Sequence, residues 1–139
     1  MHADLTPYRR FPGNAAEAME FYRSLFGAEL QTMTYDQIHS AEEVGDQGDK
    51  IMHAELIVDG RKLLFAADIP PGMETTHGED TPLSLTGGPA EEAELRGYWE
   101  KLAEGADITM PLEAVPWGAT YGALQDRFGT HWMFNIAGQ

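Results

Sequence analysis

The stretch Asp126–Asn135, DRFGTHWMFN, decides how the C-terminal part of this chain folds. Its segment Arg127-Phe128-Gly129 is typical of a turn. After the turn, large apolar residues alternate with other types, as in a β-strand with one buried face. The buried face would carry Trp132, Phe134 and Ile136. The opposite face would carry His131, Met133 and Asn135, and the nature of its neighbours becomes the functional question.

The surrounding sequence repeats one pattern twice. TYGALQ before the turn and THWMFNI after it predict a hairpin, as do IMHAELIV and RKLLFAAD on either side of Asp59-Gly60. Apolar residues recur at helical spacing in AAEAMEFYRSLF and in AEEAELRGYWEKLAE, which predicts two helices. The first helix would end at Gly27 and the second at Gly105. LTPYRRF and PLSLT precede these helices, and ELQTMTY and DITMPL follow them as predicted strands. Each half is therefore strand, helix and three strands.

This repeat predicts an α+β fold of two βαβββ modules. The strands would form one curved mixed sheet, a cup with the helices on its convex face. We expect a single domain over residues 1–139, with module one at about 1–70 and module two at about 80–139. The apolar residues of both helices are assigned to the core, where each fully buried large side chain contributes roughly 1.5–3 kcal/mol.

Composition limits the possible partners. The chain has 23 Asp and Glu against 9 Lys and Arg, a formal charge of −14, which argues against a nucleic-acid partner and permits a cationic one. The absence of cysteine suits a reducing cytoplasm and excludes thiolate chemistry. The N-terminus lacks the apolar segment of a signal peptide, and no apolar run reaches the roughly 20 residues of a membrane span.

The doubled pattern resembles the vicinal oxygen chelate superfamily of glyoxalase I, extradiol dioxygenases and fosfomycin and bleomycin resistance proteins. Within it, TPYRRFPGNAAEAMEFYRSLFG, DKIMHAEL and WGATYGALQDRFGTHWM are similar to the PhnB-like branch, often labelled demethylubiquinone methyltransferase-like. The resemblance implies the cup fold, a small-molecule ligand and a homodimer. A methyl-transfer role is not supported, because the chain lacks the alternating strands and helices of a Rossmann-like domain.

Metal-using members of this superfamily place His or Glu on the first and last strand of each module. The resemblance aligns these positions with Thr6, with Leu64, with one of Leu83, Ser84 and Leu85, and with Met133. Hydroxyl, thioether and aliphatic groups are poor ligands for the divalent ions of such sites. We therefore predict no metal and no other cofactor.

Two groups of polar residues are candidates for chemistry. His53 and Glu55 lie two apart on a predicted strand and share a face, as an acid–base pair would. A second possibility is an unconventional metal site, in which His53 and Glu55 are two ligands and His131 or Asp68 is the third. Arg10 shares a face of the first strand with Tyr8 and Thr6, where it would bind an anionic group or form an internal ion pair.

The predicted ligand-binding residues are Tyr8, Trp117, Tyr121, His131 and Met133. Trp117 lies between a proline and a glycine in a predicted loop, a common place for an aromatic residue that closes a pocket or anchors an interface. Ligand sites are mostly apolar with a few polar groups, which these residues match.

The preferred hypothesis is a metal-free small-molecule-binding protein that holds a cationic or aromatic ligand in the cup. The alternative is an enzyme of the lyase or isomerase class, metal-independent or with an unconventional metal, in which His53, Glu55 and Arg10 act as catalytic residues. A dimeric module that acts only through protein contacts is the third possibility.

Overall fold

A computed structural model describes residues 4–37, 48–69, 81–116 and 118–138. The chain forms two compact units, Met1–Thr76 and His77–Gln139. Each unit contains one four-stranded mixed sheet and one long helix. The predicted α+β class and the two βαβββ modules are confirmed.

Module one contains β1 (Tyr8–Phe11), α1 (Ala15–Phe26), β2 (Glu29–Thr34), a 3₁₀ turn (Tyr35–Gln37), β3 (Ile51–Val58) and β4 (Arg61–Asp68). The strand order is β1-β4-β3-β2, with β1 parallel to β4 and the other neighbours antiparallel. Asp59 and Gly60 have φ values of 51° and 77°, so the predicted two-residue turn joins β3 to β4.

Helix α1 packs one stripe of side chains on this sheet. Five of the six residues predicted for the core stripe are buried, and Phe26 is half-buried. The five are Ala15, Ala18, Met19, Tyr22 and Leu25. The helix ends where Gly27 adopts a left-handed conformation with φ 63°, which confirms the predicted C-cap.

Module two repeats the same connectivity. It contains β5 (Leu83–Gly87), a 3₁₀ turn (Pro89–Glu91), α2 (Glu92–Ala103), β6 (Asp107–Ala114), β7 (Thr120–Gln125) and β8 (His131–Ile136). The strand order is β5-β8-β7-β6, and β5 is parallel to β8. The second helix begins with a 3₁₀ turn at Pro89–Glu91 rather than as an α-helix from Ala90.

The helix of module two lies close to its sheet. The ring of Trp99 on α2 meets Phe134 edge to face at 5.2 Å. Gly122 on β7 makes this approach possible, because a Cβ there would lie 2.9 Å from both the Leu112 Cα and the Trp99 ring. The helix therefore covers the face that carries Trp132 and Phe134, as the alternation predicted.

Tyr98 gives this helix a measurable pH dependence. Its hydroxyl donates to Glu94 Oε1 at 2.8 Å, and burial with this hydrogen bond raises the pKa of Tyr98 to about 12. Since unfolded tyrosine titrates near 10, the stabilisation is complete below about pH 10 and is lost as the pH rises towards 12. The ultraviolet titration of the native protein minus that of Tyr98→Phe should have its midpoint near 12. A midpoint near 10 would contradict this assignment.

Within the described parts of the chain, neither helix has the length and apolar character needed to cross a membrane.

Candidate functional site

The two faces of the module-one sheet differ sharply. Leu64 and Ala66 are buried on the face that α1 covers, and Asp68 on the same face binds the first backbone N–H of that helix. The opposite side is called here the open face of module one. It carries Tyr8, Arg10, Gln31, Met33, His53, Glu55, Lys62, Phe65 and Ala67.

The register of the strands arranges these side chains in rows that run across the sheet, each row being called here a level. Tyr8 pairs with Phe65, Phe65 with Glu55, and Glu55 with Gln31. On the next level Arg10 pairs with Ala67, and His53 pairs with Met33. Residues that are far apart in sequence are thus placed side by side on one surface.

An aromatic cluster lies at the centre of this face. The ring centroid of His53 is 5.2 Å from that of Phe65 and 5.6 Å from that of Tyr8. The rings of Tyr8 and Phe65 meet edge to face at 6.1 Å. Tyr8 is 49% exposed, so this aromatic surface is accessible to a ligand.

His53 lies between a hydroxyl and a carboxylate. Its Nδ1 is 3.1 Å from the Tyr8 hydroxyl oxygen, and its Nε2 is 3.8 Å from Glu55 Oε1. A carboxylate only accepts hydrogen bonds, so the proton of a neutral His53 belongs on Nε2, where it faces Glu55. Nδ1 then accepts from the Tyr8 hydroxyl. The predicted pairing of His53 with Glu55 on one face is present, and Tyr8 extends it.

Glu55 also contacts a cation on the neighbouring strand. Lys62 Nζ lies 3.3 Å from Glu55 Oε1 and 5.7 Å from the centroid of the Phe65 ring. Both side chains are partly exposed, so solvent weakens this ion pair. Its role is to balance the charge of Glu55 beside the aromatic cluster.

The charge of Arg10 acts on the phenols around it. Burial raises the pKa of Tyr8, and the positive charge of Arg10 partly offsets this effect. Burial together with Asp68 raises the pKa of Tyr35, and Arg10 again acts in the opposite direction. The Tyr8 hydroxyl therefore keeps its proton at neutral pH and remains a donor to His53.

The sheet of module two also has an open face. Met133 pairs with Ser84 and Ala123, His131 pairs with Gln125, and Tyr121 pairs with Asn135. Tyr121, His131 and Met133 are therefore on the same face and half-buried. Trp117, the remaining predicted ligand-binding residue, lies outside the described residues.

The register corrects two of the positions aligned with metal ligands. Leu64 is 3% exposed on the helix side of its sheet, so it cannot be the counterpart of Met133. Phe65 faces the open side, and its partner on β1 is Tyr8 rather than Thr6. The error arises because β4 contains one extra residue: Ile57 pairs with Lys62 but Leu56 pairs with Leu64, so the register shifts by one residue at Leu63. The corrected set is Tyr8, Phe65, Ser84 and Met133.

This corrected set offers a phenol, a hydrocarbon ring, a hydroxyl and a thioether. None is an imidazole or carboxylate of the kind that holds divalent ions in related proteins. In residues 4–37, 48–69, 81–116 and 118–138, no three His, Asp or Glu side chains are grouped as a metal site requires.

Comparison with known families identifies the chain. The model of the 3-demethylubiquinone-9 3-methyltransferase family matches residues 3–135. The chain belongs to this family. It is thereby a PhnB-like member of the vicinal oxygen chelate superfamily, as the sequence resemblance indicated.

Solved structures agree with this assignment. Protein PA1353 from Pseudomonas aeruginosa is 34% identical, with a TM-score of 0.83 over 99% of each chain. The PhnB protein from Bacillus cereus is 29% identical, with a TM-score of 0.78 over 97% of this chain and 100% of its own. The fosfomycin resistance protein FosX from Listeria monocytogenes has a TM-score of 0.62 over 100% of this chain and 96% of its own. At 13% identity, FosX shows a common fold only.

Sequence reasoning missed two residues of the open face, Phe65 and Lys62. Counting from Asp68, which is buried on the helix side, places Phe65 on the opposite face. Alternation places Lys62 on the face opposite Phe65, and only the register shift between β3 and β4 brings it to the open face, which the sequence did not indicate.

Proposed function

We propose that this protein is a metal-free small-molecule-binding protein that holds an aromatic ligand on the open face of module one. The observation that carries the proposal is the accessible cluster of Tyr8, His53 and Phe65. Aromatic rings supply large apolar contact area with defined geometry, and a few adjacent polar groups orient a ligand. Glu55, Lys62 and Arg10 are those groups.

The metal-free character is supported by the chemistry of the side chains at Tyr8, Phe65, Ser84 and Met133. Methyl transfer, which the family description names, is not part of the proposal. In the described residues of each module, the sheet is mixed and is not the parallel sheet flanked by helices that holds a methyl donor in Rossmann-like enzymes. The family resemblance also supports a homodimer as the working form.

The alternative is a metal-independent enzyme of the lyase or isomerase class. The contacts that favour it are Tyr8 to His53 and His53 to Glu55, which align a hydroxyl, an imidazole and a carboxylate. Such an arrangement can move a proton, and Arg10 would stabilise developing negative charge. Turnover that survives a chelator and is lost in His53→Ala would favour this alternative over simple binding.

Phe65→Ala tests the proposed site. Aromatic fragments would be screened by protein-observed NMR, and the tightest would then be titrated into each variant. Losing the central ring should weaken binding about tenfold, which corresponds to about 1.4 kcal/mol. Phe21→Ala is the matched control, because Phe21 is a half-buried phenylalanine of the same module on α1. It should leave the affinity unchanged.

Two outcomes would overturn the proposal. In the first, Phe65→Ala and Phe21→Ala weaken binding equally, which would mean that the ligand binds elsewhere or that both variants have lost stability. The other is binding that disappears after dialysis against a chelator and returns with a divalent ion. Expected instead are unchanged affinity in chelator and shifts confined to amides near Tyr8, His53 and Phe65.

A further inference from the structure

The helices of the two modules cover their sheets to different extents. In module one, α1 packs on β3, β4 and β2, so it reaches the edge strand β2. In module two, α2 packs mainly on β5 and β8, whereas β6 lies at the far edge of the sheet. The helix side of β6 is therefore left largely uncovered.

The side chains of β6 agree with this difference. Ile108 pairs with Leu124, and Leu124 pairs with Trp132 on the face that α2 covers. Leu124 is buried, but Ile108 is 45% exposed. An isoleucine on the helix side of the sheet thus faces open space beside the helix.

The space between the helix and the edge strand is called here the α2–β6 groove. Its volume is about 260 Å³, slightly below the roughly 300–1,000 Å³ of sites for drug-sized ligands. All of its lining residues belong to module two, so the groove is independent of the open face of module one. They are Arg96, Trp99, Glu100, Ile108, Pro111 and Leu112.

Trp99 gives the groove an aromatic wall that is held in place. Its ring meets Phe134 edge to face at 5.2 Å, and its Cζ3 and Cη2 atoms lie against β7 at Gly122. Its Nε1 is on the opposite edge of the indole and has no hydrogen-bond partner in the described part of the chain. The ring is half-buried, so a ligand can contact it while the helix stays in place.

The charges beside the groove favour a cation. Arg96 donates to Glu92 at 2.8 Å, so its charge is matched within α2. Glu100 lines the groove and has no ion-pair or hydrogen-bond partner among the residues that the structure describes. These three side chains leave one negative charge in excess. The formal charge of −14 on the whole chain attracts cations at longer range, so both effects have the same sign.

We infer that the α2–β6 groove binds a small organic cation, an amine with an apolar body. The ammonium group lies beside Glu100 and donates to its carboxylate, and the apolar body covers Trp99 and Ile108. The face of an indole attracts a cation more strongly than the other aromatic side chains do. Covering the exposed part of Ile108 adds a hydrophobic contribution in proportion to the buried area.

Three probes with the same phenyl ring and propyl chain test the charge of the ligand. Phenylpropylammonium, phenylpropanol and phenylpropanoate carry a positive, a neutral and a negative group. Each would be titrated into the full chain at neutral pH and low salt, with amide and indole NMR signals as the readout. The ammonium should bind about fivefold more tightly than the alcohol, the scale of an exposed ion pair, and should shift the indole N–H signal of Trp99. The carboxylate should bind most weakly.

Two pairs of variants locate the site. Glu100→Gln should abolish the preference for the ammonium, whereas Glu113→Gln should retain it, because Glu113 is an exposed acid of β6 that does not line the groove. Ile108→Ser should weaken binding of the ammonium and the alcohol alike, by about fivefold. Met110→Ser should not, although Met110 is 48% exposed on the same strand. All four substitutions change exposed side chains, so the thermal midpoints should stay close to the native value.

Other results would overturn the inference. Equal affinities of the ammonium and the alcohol would mean that the groove does not select a charge. Groove signals that shift with protein concentration alone would mean that a second copy of the chain covers it. No shift of these signals by any probe at millimolar concentration would exclude the site. The proposed function is tested separately, because Phe65→Ala should leave the ammonium affinity of the groove unchanged.

Discussion

Asp126→Ala should lower the free energy of unfolding by about 4 kcal/mol, because it leaves three buried donors without their acceptor. The carboxylate is 5% exposed in the turn between β7 and β8. Its Oδ1 accepts the backbone N–H groups of Phe128 and Thr130 at 2.9 and 3.0 Å. Its Oδ2 accepts the indole N–H of Trp132 at 2.9 Å. Denaturant unfolding of the native chain and the variant gives the difference directly.

Companion variants separate the carboxylate from its surroundings. Asp107→Ala removes an exposed acid of the same module and should change stability by less than about 0.5 kcal/mol. Asp126→Asn retains one acceptor oxygen but turns an amide NH₂ towards at least one donor, so its cost should be about 2 kcal/mol. Trp132→Phe should cost less in the Asp126→Ala background than in the native chain, because the indole has already lost its partner. A cost below about 1 kcal/mol for Asp126→Ala would contradict the role assigned to this side chain.

Local sequence predicted the fold because its signals are short-range. Helical spacing from Ala15 to Phe26, the glycine at 27 and the Asp59-Gly60 turn each act within a few residues, and all three are present as expected. The turn after β7 was also predicted, from Arg127-Phe128-Gly129. The three hydrogen bonds that the Asp126 carboxylate accepts from N–H groups were not predicted, because composition alone does not show which side chain of a turn is buried.

The candidate site depends on registers between strands that are distant in sequence. Alternation within β3 was enough to place His53 and Glu55 on one face. The contact between Tyr8 and His53 also requires β1 to pair in parallel with β4 at one register, and nothing near either residue specifies it. The one-residue register shift between β3 and β4 likewise exchanged Leu64 for Phe65, since each step along a strand reverses the face.

The second large effect is expected at Asp68, where Asp68→Ala should cost about 3 kcal/mol. Its carboxylate is 3% exposed and accepts the backbone N–H of Ala15 and of Ile51, each at 2.9 Å. It thus fixes the start of α1 and the start of β3 to the end of β4, and its negative charge suits a helix N-terminus. Denaturant unfolding measures the cost, and hydrogen exchange should accelerate at these two amides.

Controls for Asp68 come from the same neighbourhood. Tyr35 donates its hydroxyl to the backbone carbonyl of Asp68 at 2.9 Å, a bond that the substitution leaves in place. Tyr35→Phe should therefore cost only about 1 kcal/mol, less than Asp68→Ala. Asp4→Ala removes an exposed acid of the same module and should be nearly neutral. If Asp68→Ala were as mild as Asp4→Ala, the carboxylate would not hold these three elements together, and the geometry of the open face would need another support.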